Sequence, residues 1–162
     1  MPYHAAILTT SDAGAKGERE DTSGAAIREL LQTVAIDVTQ YEIVPDDAEI
    51  IAATLERWVE MGDVQLIVTT GGTGLGPRDV TPNATTRILD YEVPGIAEAM
   101  RAEGLRYTPM SMISRAVAGV RGKVLIINLP GSPKGVRENL SVVLPVLQHA
   151  LDLLTGVRGE HS

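Results

Sequence analysis

Hydrophobic and polar positions fall into two patterns that alternate along the chain. Short continuous apolar runs, typical of strands buried on both faces, cover residues 4–10, 36–44, 64–69 and 123–129. Between these runs, apolar residues recur at every third or fourth position, which is typical of helices that pack one face against a core. The alternation predicts an α/β fold with a mainly parallel sheet covered by helices on both faces.

Residues suited to helix N-termini precede several of the helical stretches. Thr22 is predicted to cap the first helix. Asp46 or Asp47 can cap the next one, and Asp47 is favoured for that role. Thr81 is predicted to cap a further helix that carries Pro82 at its first position.

Other parts of the chain have weaker patterns. Residues 11–21 are predicted to form a loop, and a short helix is predicted over about residues 96–101. The segment 105–122 is the least regular, and we predict a helical turn followed by a short hairpin. Pro145 is expected to break or kink the last helical region.

Length, charge and cysteine content narrow the class of protein. The chain has 162 residues, no cysteine and a formal net charge of −7. This length fits a single domain spanning residues 1–162. No apolar stretch reaches membrane-spanning length, the start lacks the features of a signal peptide, and Lys and Arg are scattered singly. We therefore expect a cytoplasmic protein with no membrane or nucleic-acid partner, although phosphorylated small molecules remain compatible with its charge.

Polar residues are concentrated in the four loops that follow the predicted strands. In open parallel sheets, ligands bind beyond the carboxyl ends of the strands. The loop after the third strand, 69–76, reads TTGGTGLG. Its glycines permit positive φ and close approach of a ligand, so that successive N–H groups can bind a phosphate. The alternative is a tight turn that only requires a flexible backbone.

Three aspartates in these loops are candidates for binding a metal. Asp79 follows the glycine loop closely, and Asp46 and Asp12 follow the second and first strands. A carboxylate beside bound phosphates is favourable when Mg²⁺ bridges the two, and Mg²⁺ uses few protein carboxylates. The alternatives are a turn-capping role for Asp79 and an Asx-turn for Asp12.

Hydroxyl and cationic groups in two later segments are candidates for a second anionic substrate. Ser114 and Arg115 lie in the irregular segment, and Ser132 and Lys134 lie in the turn after the last strand. Such groups bind phosphates and carboxylates well. Taken singly, each is more often an ordinary loop residue.

Four stretches of the chain together resemble the molybdopterin adenylyltransferase family, which includes bacterial MogA and MoaB proteins and the amino-terminal domain of gephyrin. These stretches are TTGGTGLGPRDVTPNAT, PGIAEAMR, SRAVAGVRG and LIINLPGSPKGVRE. The similarity spans nearly the whole chain. It implies a three-layer α/β/α domain, commonly a homotrimer, that uses MgATP to adenylylate molybdopterin. The implied partners are ATP, molybdopterin and the downstream enzyme of molybdenum insertion.

The resemblance also implies roles for particular residues. It assigns the nucleotide phosphates to the glycine loop, and metal binding and catalysis to two aspartates, Asp79 and Asp46. Ser11 and Asp12 match the family's element at the first strand. The remaining matches belong to the glycine loop and to segments near the pterin and nucleotide pockets, and they are Thr70, Gly71, Gly72, Thr73, Gly74, Ser114, Arg115, Gly131 and Ser132.

Three other functions remain open at this stage. The same pocket is compatible with a MoaB-type protein that binds molybdopterin without turnover. A trimeric scaffold with a vestigial pocket is a second alternative. For the homotrimer that the resemblance implies, the helix bearing Trp58 offers an apolar contact surface. A third is an enzyme acting on small nucleotides, as in the competence- and damage-inducible group that shares this domain.

Overall fold

The structure, a computed structural model, describes residues 3–157, whose strands form one six-stranded sheet. The strand order is β2-β1-β3-β6-β5-β4, in which β2, β1, β3 and β6 are parallel and β5 and β4 are antiparallel to their neighbours. The strands are β1 Tyr3–Thr10, β2 Ile36–Val44, β3 Leu66–Thr70, β4 Tyr91–Glu92, β5 Ala118–Arg121 and β6 Val124–Leu129. The predicted mainly parallel sheet is confirmed. The single-domain prediction for 1–162 includes residues outside those described, and it stays a prediction.

Helices cover both faces of this sheet and form the outer layers of a three-layer α/β/α fold. They are α1 Asp12–Ala15, α2 Thr22–Gln32, α3 Ala48–Met61, α4 Thr81–Ile88, α5 Pro94–Gly104 and α6 Pro133–Thr155, with a 3₁₀ helix at Pro109–Ile113. Helices α2, α5 and α6 lie on one face, and α3 and α4 on the other. Within residues 3–157, no helix has both the length and the apolar character needed to cross a membrane.

Side chains alternate along each buried strand and contribute to two separate hydrophobic cores. In β1, Ala5 and Ile7 pack towards α2 and α6, whereas Ala6 and Leu8 pack towards α3. This is the two-residue period of a strand that is covered on both sides. Trp58 of α3, the helix expected to offer an apolar contact surface, is 2% exposed and belongs to the second core.

Two of the predicted helix caps are wrong, and one is confirmed. Asp21, not Thr22, caps α2, because its carboxylate accepts the N–H of Gly24 at 2.9 Å. Thr81 lies inside α4 rather than at its cap, since its fully buried hydroxyl lies 3.1 Å from the hydroxyl of Thr10. Asp47 caps α3 as predicted and accepts two backbone N–H groups.

The segments with weak sequence patterns account for the other differences. Residues 12–15 form a helical turn where a loop is predicted. The irregular segment contains the predicted helical turn as a 3₁₀ helix, but the hairpin partner of β5 is β6, reached through Gly122 at φ +61°. Strand β4 was not predicted. Pro145 does not break the last helix, which runs continuously from Pro133 to Thr155.

Asn128 of β6 joins three elements through buried hydrogen bonds. Its amide donates to the hydroxyls of Thr69 and Thr85 at 3.0 Å each, and its carbonyl oxygen accepts the N–H of Val117 at 3.2 Å. The residue is 0% exposed. Because buried polar groups are costly when unpaired, this side chain ties β3, α4 and the segment before β5 to one position.

We predict that Asn128→Ala lowers the free energy of unfolding by about 3 kcal/mol, because three hydrogen bonds are lost and a small cavity is left. Urea denaturation followed by circular dichroism measures the change. The control Gln32→Ala removes an exposed amide at the end of α2 and is expected to change stability by less than about 0.5 kcal/mol. Similar midpoints for the two variants would contradict the structural role of Asn128.

Candidate active site

Four loops at the carboxyl edge of the parallel strands surround a cavity of about 340 Å³. They follow β1, β2, β3 and β6, as the sequence predicts for a ligand site in this class of sheet. We call this the edge cavity. The sequence-predicted residues that line it are Ser11, Asp46, Thr70, Gly71, Gly72, Asp79, Gly131 and Ser132.

The glycine loop after β3 begins with two residues whose backbone requires glycine. Gly71 and Gly72 have φ values of +100° and +67°. A Cβ on Gly71 would lie 2.5 Å from the carbonyl oxygen of Thr10, and one on Gly72 would lie 2.5 Å from the hydroxyl of Thr81. The N–H of Gly71 donates to the carbonyl of Leu129 at 3.1 Å. Gly71 therefore anchors the loop to β6 at the wall of the edge cavity.

The carboxylate of Asp79 folds back over the second half of the same loop. Its Oδ2 accepts the N–H of Gly76 at 2.8 Å. The same oxygen would lie 2.9 Å from a Cβ placed on either Gly74 or Gly76. Both glycines therefore leave room for this carboxylate, and Asp79 is held beside the loop and lines the edge cavity.

Asp12 and Asp46 join the loops after β1 and β2 through reciprocal hydrogen bonds. The N–H of Asp12 donates to Asp46 Oδ2 at 3.1 Å, and the N–H of Asp46 donates to Asp12 Oδ1 at 2.9 Å. Arg78 approaches Asp12 with two nitrogens, Nε at 3.1 Å and Nη2 at 2.9 Å. This arrangement ties the β3 loop to the other two. Asp12 itself does not line the edge cavity but supports Asp46, which does.

The two aspartates of this group are electrostatically different. The hydrogen bond from Arg78 holds the pKa of the Asp12 carboxyl below its ordinary value, and the N–H of Asp46 acts in the same direction. Burial raises the pKa of the Asp46 carboxyl and outweighs the opposing hydrogen bond from Asp12. A cation bound beside Asp46 favours the ionised form of its carboxyl and opposes this increase.

Arg115 fixes the outer side of the glycine loop. Its guanidinium donates to the carbonyl oxygens of Gly74 and Asp79 at 3.0 and 2.6 Å and to Asn83 Oδ1 at 3.1 Å. Its N–H donates to the carbonyl of Thr73 at 2.8 Å. Arg115, predicted as a ligand-binding cation, lines neither this cavity nor the next and positions the loop instead.

A second cavity of about 370 Å³ lies on the other side of the glycine loop, and we call it the side cavity. Thr73, Gly74 and Ser114 line it. Ser132 lines both cavities. The glycine loop thus separates two adjacent pockets, with residues 71 and 72 on one side and residues 73 and 74 on the other.

Several residues of the site were not identified from the sequence. Ser23 of α2 donates to the carbonyl of Gly131 at 2.9 Å, and the predicted residue Thr70 donates to the neighbouring carbonyl of Pro130 at 2.6 Å. Asp21, which caps α2, also accepts the hydroxyl of Thr9 at 2.6 Å and that of Tyr41. The sequence does contain hydroxyl and carboxyl groups close together at the start of α2. They could have indicated these residues, because the start of this helix faces the carboxyl edge of the sheet.

Negative groups predominate among the charged residues that line the edge cavity. They are Glu20, Asp21, Asp46 and Asp79, and Arg19 is the cation. A polyphosphate in this cavity therefore requires a cation beside it. No cluster of three or more acidic, histidine or cysteine ligands occurs within residues 3–157. Two carboxylates combined with phosphate oxygens fit Mg²⁺, which commonly binds in this way.

The fold and the edge cavity define an α/β protein of the class that binds its ligand beyond the carboxyl ends of parallel strands. Residues 6–149 match the family described as probable molybdopterin binding domain, and the chain belongs to that family.

Individual relatives agree with this assignment over most of their length. The chain is 43% identical over 155 residues to the molybdopterin adenylyltransferase of Helicobacter pylori strain J99, covering 94% of this chain and 88% of the relative. It is 38% identical to the molybdopterin adenylyltransferase of Escherichia coli strain K12, and this match covers 85% of this chain and 71% of the relative. The chain is also 57% identical in sequence to the protein in the crystal structure of the molybdopterin biosynthesis enzyme MoaB from Thermus thermophilus. The two structures superpose with a TM-score of 0.90, and the match covers 95% of this chain and 97% of that chain.

We predict that Arg115→Lys increases amide hydrogen exchange in residues 73–80 by roughly tenfold or more, because an ammonium cannot replace the three-way guanidinium contacts. Hydrogen exchange monitored by mass spectrometry measures this effect. Arg106→Lys, at an exposed arginine paired with Glu103, is the matched control and is expected to leave this segment unchanged. Unaltered exchange in Arg115→Lys would show that the loop does not depend on the guanidinium.

Proposed function

We propose that this protein is a cytoplasmic molybdopterin adenylyltransferase of molybdenum cofactor biosynthesis. The reaction is attack of the terminal phosphate of molybdopterin on the α-phosphorus of ATP, which yields adenylylated molybdopterin and pyrophosphate. The observation that carries the proposal is the pair of adjacent cavities separated by the glycine loop. Two substrates that must react with each other require two sites with a common boundary. The similarity to named adenylyltransferases supports the same reaction.

In this proposal, ATP occupies the edge cavity. Gly71 and Gly72, the part of the glycine loop that lines this cavity, face its phosphates, and Asp46 and Asp79 are the residues that would hold Mg²⁺. The metal supplies neutralisation of the phosphate charge when bound. The reciprocal bonds between Asp12 and Asp46 keep the latter carboxylate in place.

Molybdopterin occupies the side cavity in the same proposal. Ser132, which lines both cavities, and Lys134, which lines the side cavity, are suited to its phosphate. No side chain needs to act as a nucleophile, because the attacking oxygen belongs to the substrate. The protein contributes by orienting both substrates and by stabilising the charge that develops during transfer.

A second candidate is binding of molybdopterin without turnover. The Thermus structure that is 57% identical is named MoaB, and the family resemblance includes MoaB-type proteins for which adenylylation is not evident. Pyrophosphate release from MgATP, measured with and without molybdopterin, separates the two functions. We expect release that depends on both substrates. Binding of both substrates without release would favour the binding protein, and binding of neither would favour a scaffold.

The variant Asp79→Asn tests the carboxylate most directly associated with the glycine loop. Asparagine retains an acceptor for the N–H of Gly76 but removes the charge. We expect pyrophosphate release to fall roughly tenfold or more, through loss of metal-assisted charge stabilisation, and molybdopterin binding to be retained. Equal rates for wild type and variant across a Mg²⁺ titration would refute the catalytic role of Asp79 and leave it as a turn-capping residue.

We also propose a homotrimer. Trp58 is buried within the protomer, so α3 does not supply this residue to an interface. Exposed apolar side chains lie instead around the 3₁₀ helix, and they include Leu105, Met110, Met112 and Ile113. Light scattering coupled to size exclusion is expected to give three times the chain mass of 17.2 kDa. A monomer mass at micromolar concentration would contradict the assembly.

A further inference from the structure

Glu138 of α6 has a carboxylate oxygen that is shielded from solvent and has no hydrogen-bond partner among residues 3–157. The residue lines the side cavity and also a neighbouring hollow between α5 and α6. A buried acceptor without a donor is destabilising, and more so when it carries charge. Such a group at the wall of a cavity is suited to a donor supplied by a ligand.

Two arginines in the same region are already paired with other acidic residues. Arg137, which precedes Glu138, donates to Glu29 at 2.8 Å, and Arg106 donates to Glu103 at 2.8 Å. None of the ion pairs within residues 3–157 includes Glu138. Residues 3–157 therefore supply neither a hydrogen-bond donor to the buried oxygen nor an ion-pair partner to the carboxylate.

The position of Glu138 along α6 separates it from the anion-binding end of the side cavity. Ser132 caps this helix and Lys134 lies in its first turn. Glu138 lies one helical turn beyond Lys134, about 6 Å along the helix axis. The side cavity therefore has cationic and hydroxyl groups at the start of α6 and a carboxylate one helical turn further along. Met110, Ile113 and Pro130 supply apolar surface.

A ligand that matches this arrangement has an anionic group at one end and N–H donors at the other, joined by a flat ring system. A pterin presents two adjacent donors, the ring N3–H and the 2-amino group. A carboxylate can accept both, in the parallel geometry that carboxylates also form with arginine. The apolar side chains can then pack against the faces of the rings.

We propose that Glu138 is the specificity-determining residue that accepts the N3–H and 2-amino donors of the pterin ring. The proposal rests on the function proposed above, because it takes the side cavity as the molybdopterin site. It further fixes the orientation of this substrate, with the pterin towards Glu138 and the phosphate towards Ser132 and the edge cavity.

The test compares two fluorescent ligands, pterin and lumazine, the latter with a carbonyl in place of the 2-amino group. Both are titrated into wild type, Glu138→Gln and the control Glu98→Gln, an exposed residue of α5 that removes the same charge. We expect wild type and Glu98→Gln to prefer pterin by about tenfold or more, since a carboxylate repels the carbonyl. Glu138→Gln is expected to lose this preference, because its amide can donate to lumazine.

The same preference in Glu138→Gln as in wild type, no preference in wild type, or no binding of pterin at millimolar concentration would each overturn the assignment. Thermal melting and MgATP affinity report whether the variant is folded. If it is not, the preference of the wild-type protein for pterin over lumazine still tests the assignment. Pyrophosphate release by wild type is measured in parallel. If pyrophosphate is released but pterin is not preferred over lumazine, only the role of Glu138 is rejected. If pterin is preferred but no pyrophosphate is released, the role of Glu138 is supported and the transfer reaction is rejected.

Discussion

The site depends on the close approach of three loop backbones at Gly71. A Cβ on this residue would lie 2.5 Å from the carbonyl oxygen of Thr10, and a Cβ on Gly131 would lie 3.3 Å from the Cα of Gly71. The loops after β1, β3 and β6 can therefore meet only where side chains are absent. Hydrogen bonds from Gly71 to Leu129 and from Thr70 to Pro130 hold this contact. The cavities on either side of the glycine loop follow from this packing.

The charges around this contact suit the two anionic substrates of the proposed reaction. Asp46 and Asp79 face the edge cavity, and Arg78 and Arg115 are used to hold loops rather than to line it. An edge cavity with this acidic lining binds polyphosphate well only with a divalent cation. The side cavity contains Lys134, which is suited to a substrate that carries a single phosphate group.

The sequence predicted the fold class, the four loops and fewer than half of the residues that line the edge cavity, because strand patterns locate the carboxyl edge of the sheet but not the other segments that pack against it. The sequence did not distinguish residues that line a cavity from residues that hold the surrounding loops in position. Arg115 and Asp12 were candidates for binding, but both hold loops through contacts between segments distant in sequence. Thr81 failed as a cap because Thr10 engages its hydroxyl. The unpartnered oxygen of Glu138 depends on packing between α5 and α6, which sequence periodicity does not reveal.

The proposed function is transfer of the adenylyl group of ATP to molybdopterin. ATP carrying radioactive phosphorus at the α position, incubated with the protein, Mg²⁺ and molybdopterin, tests it most directly. We expect the label to move into a product that also contains the pterin, whereas label at the γ position is recovered in pyrophosphate. If both substrates bind by calorimetry and the α label remains in ATP, the protein is not an adenylyltransferase.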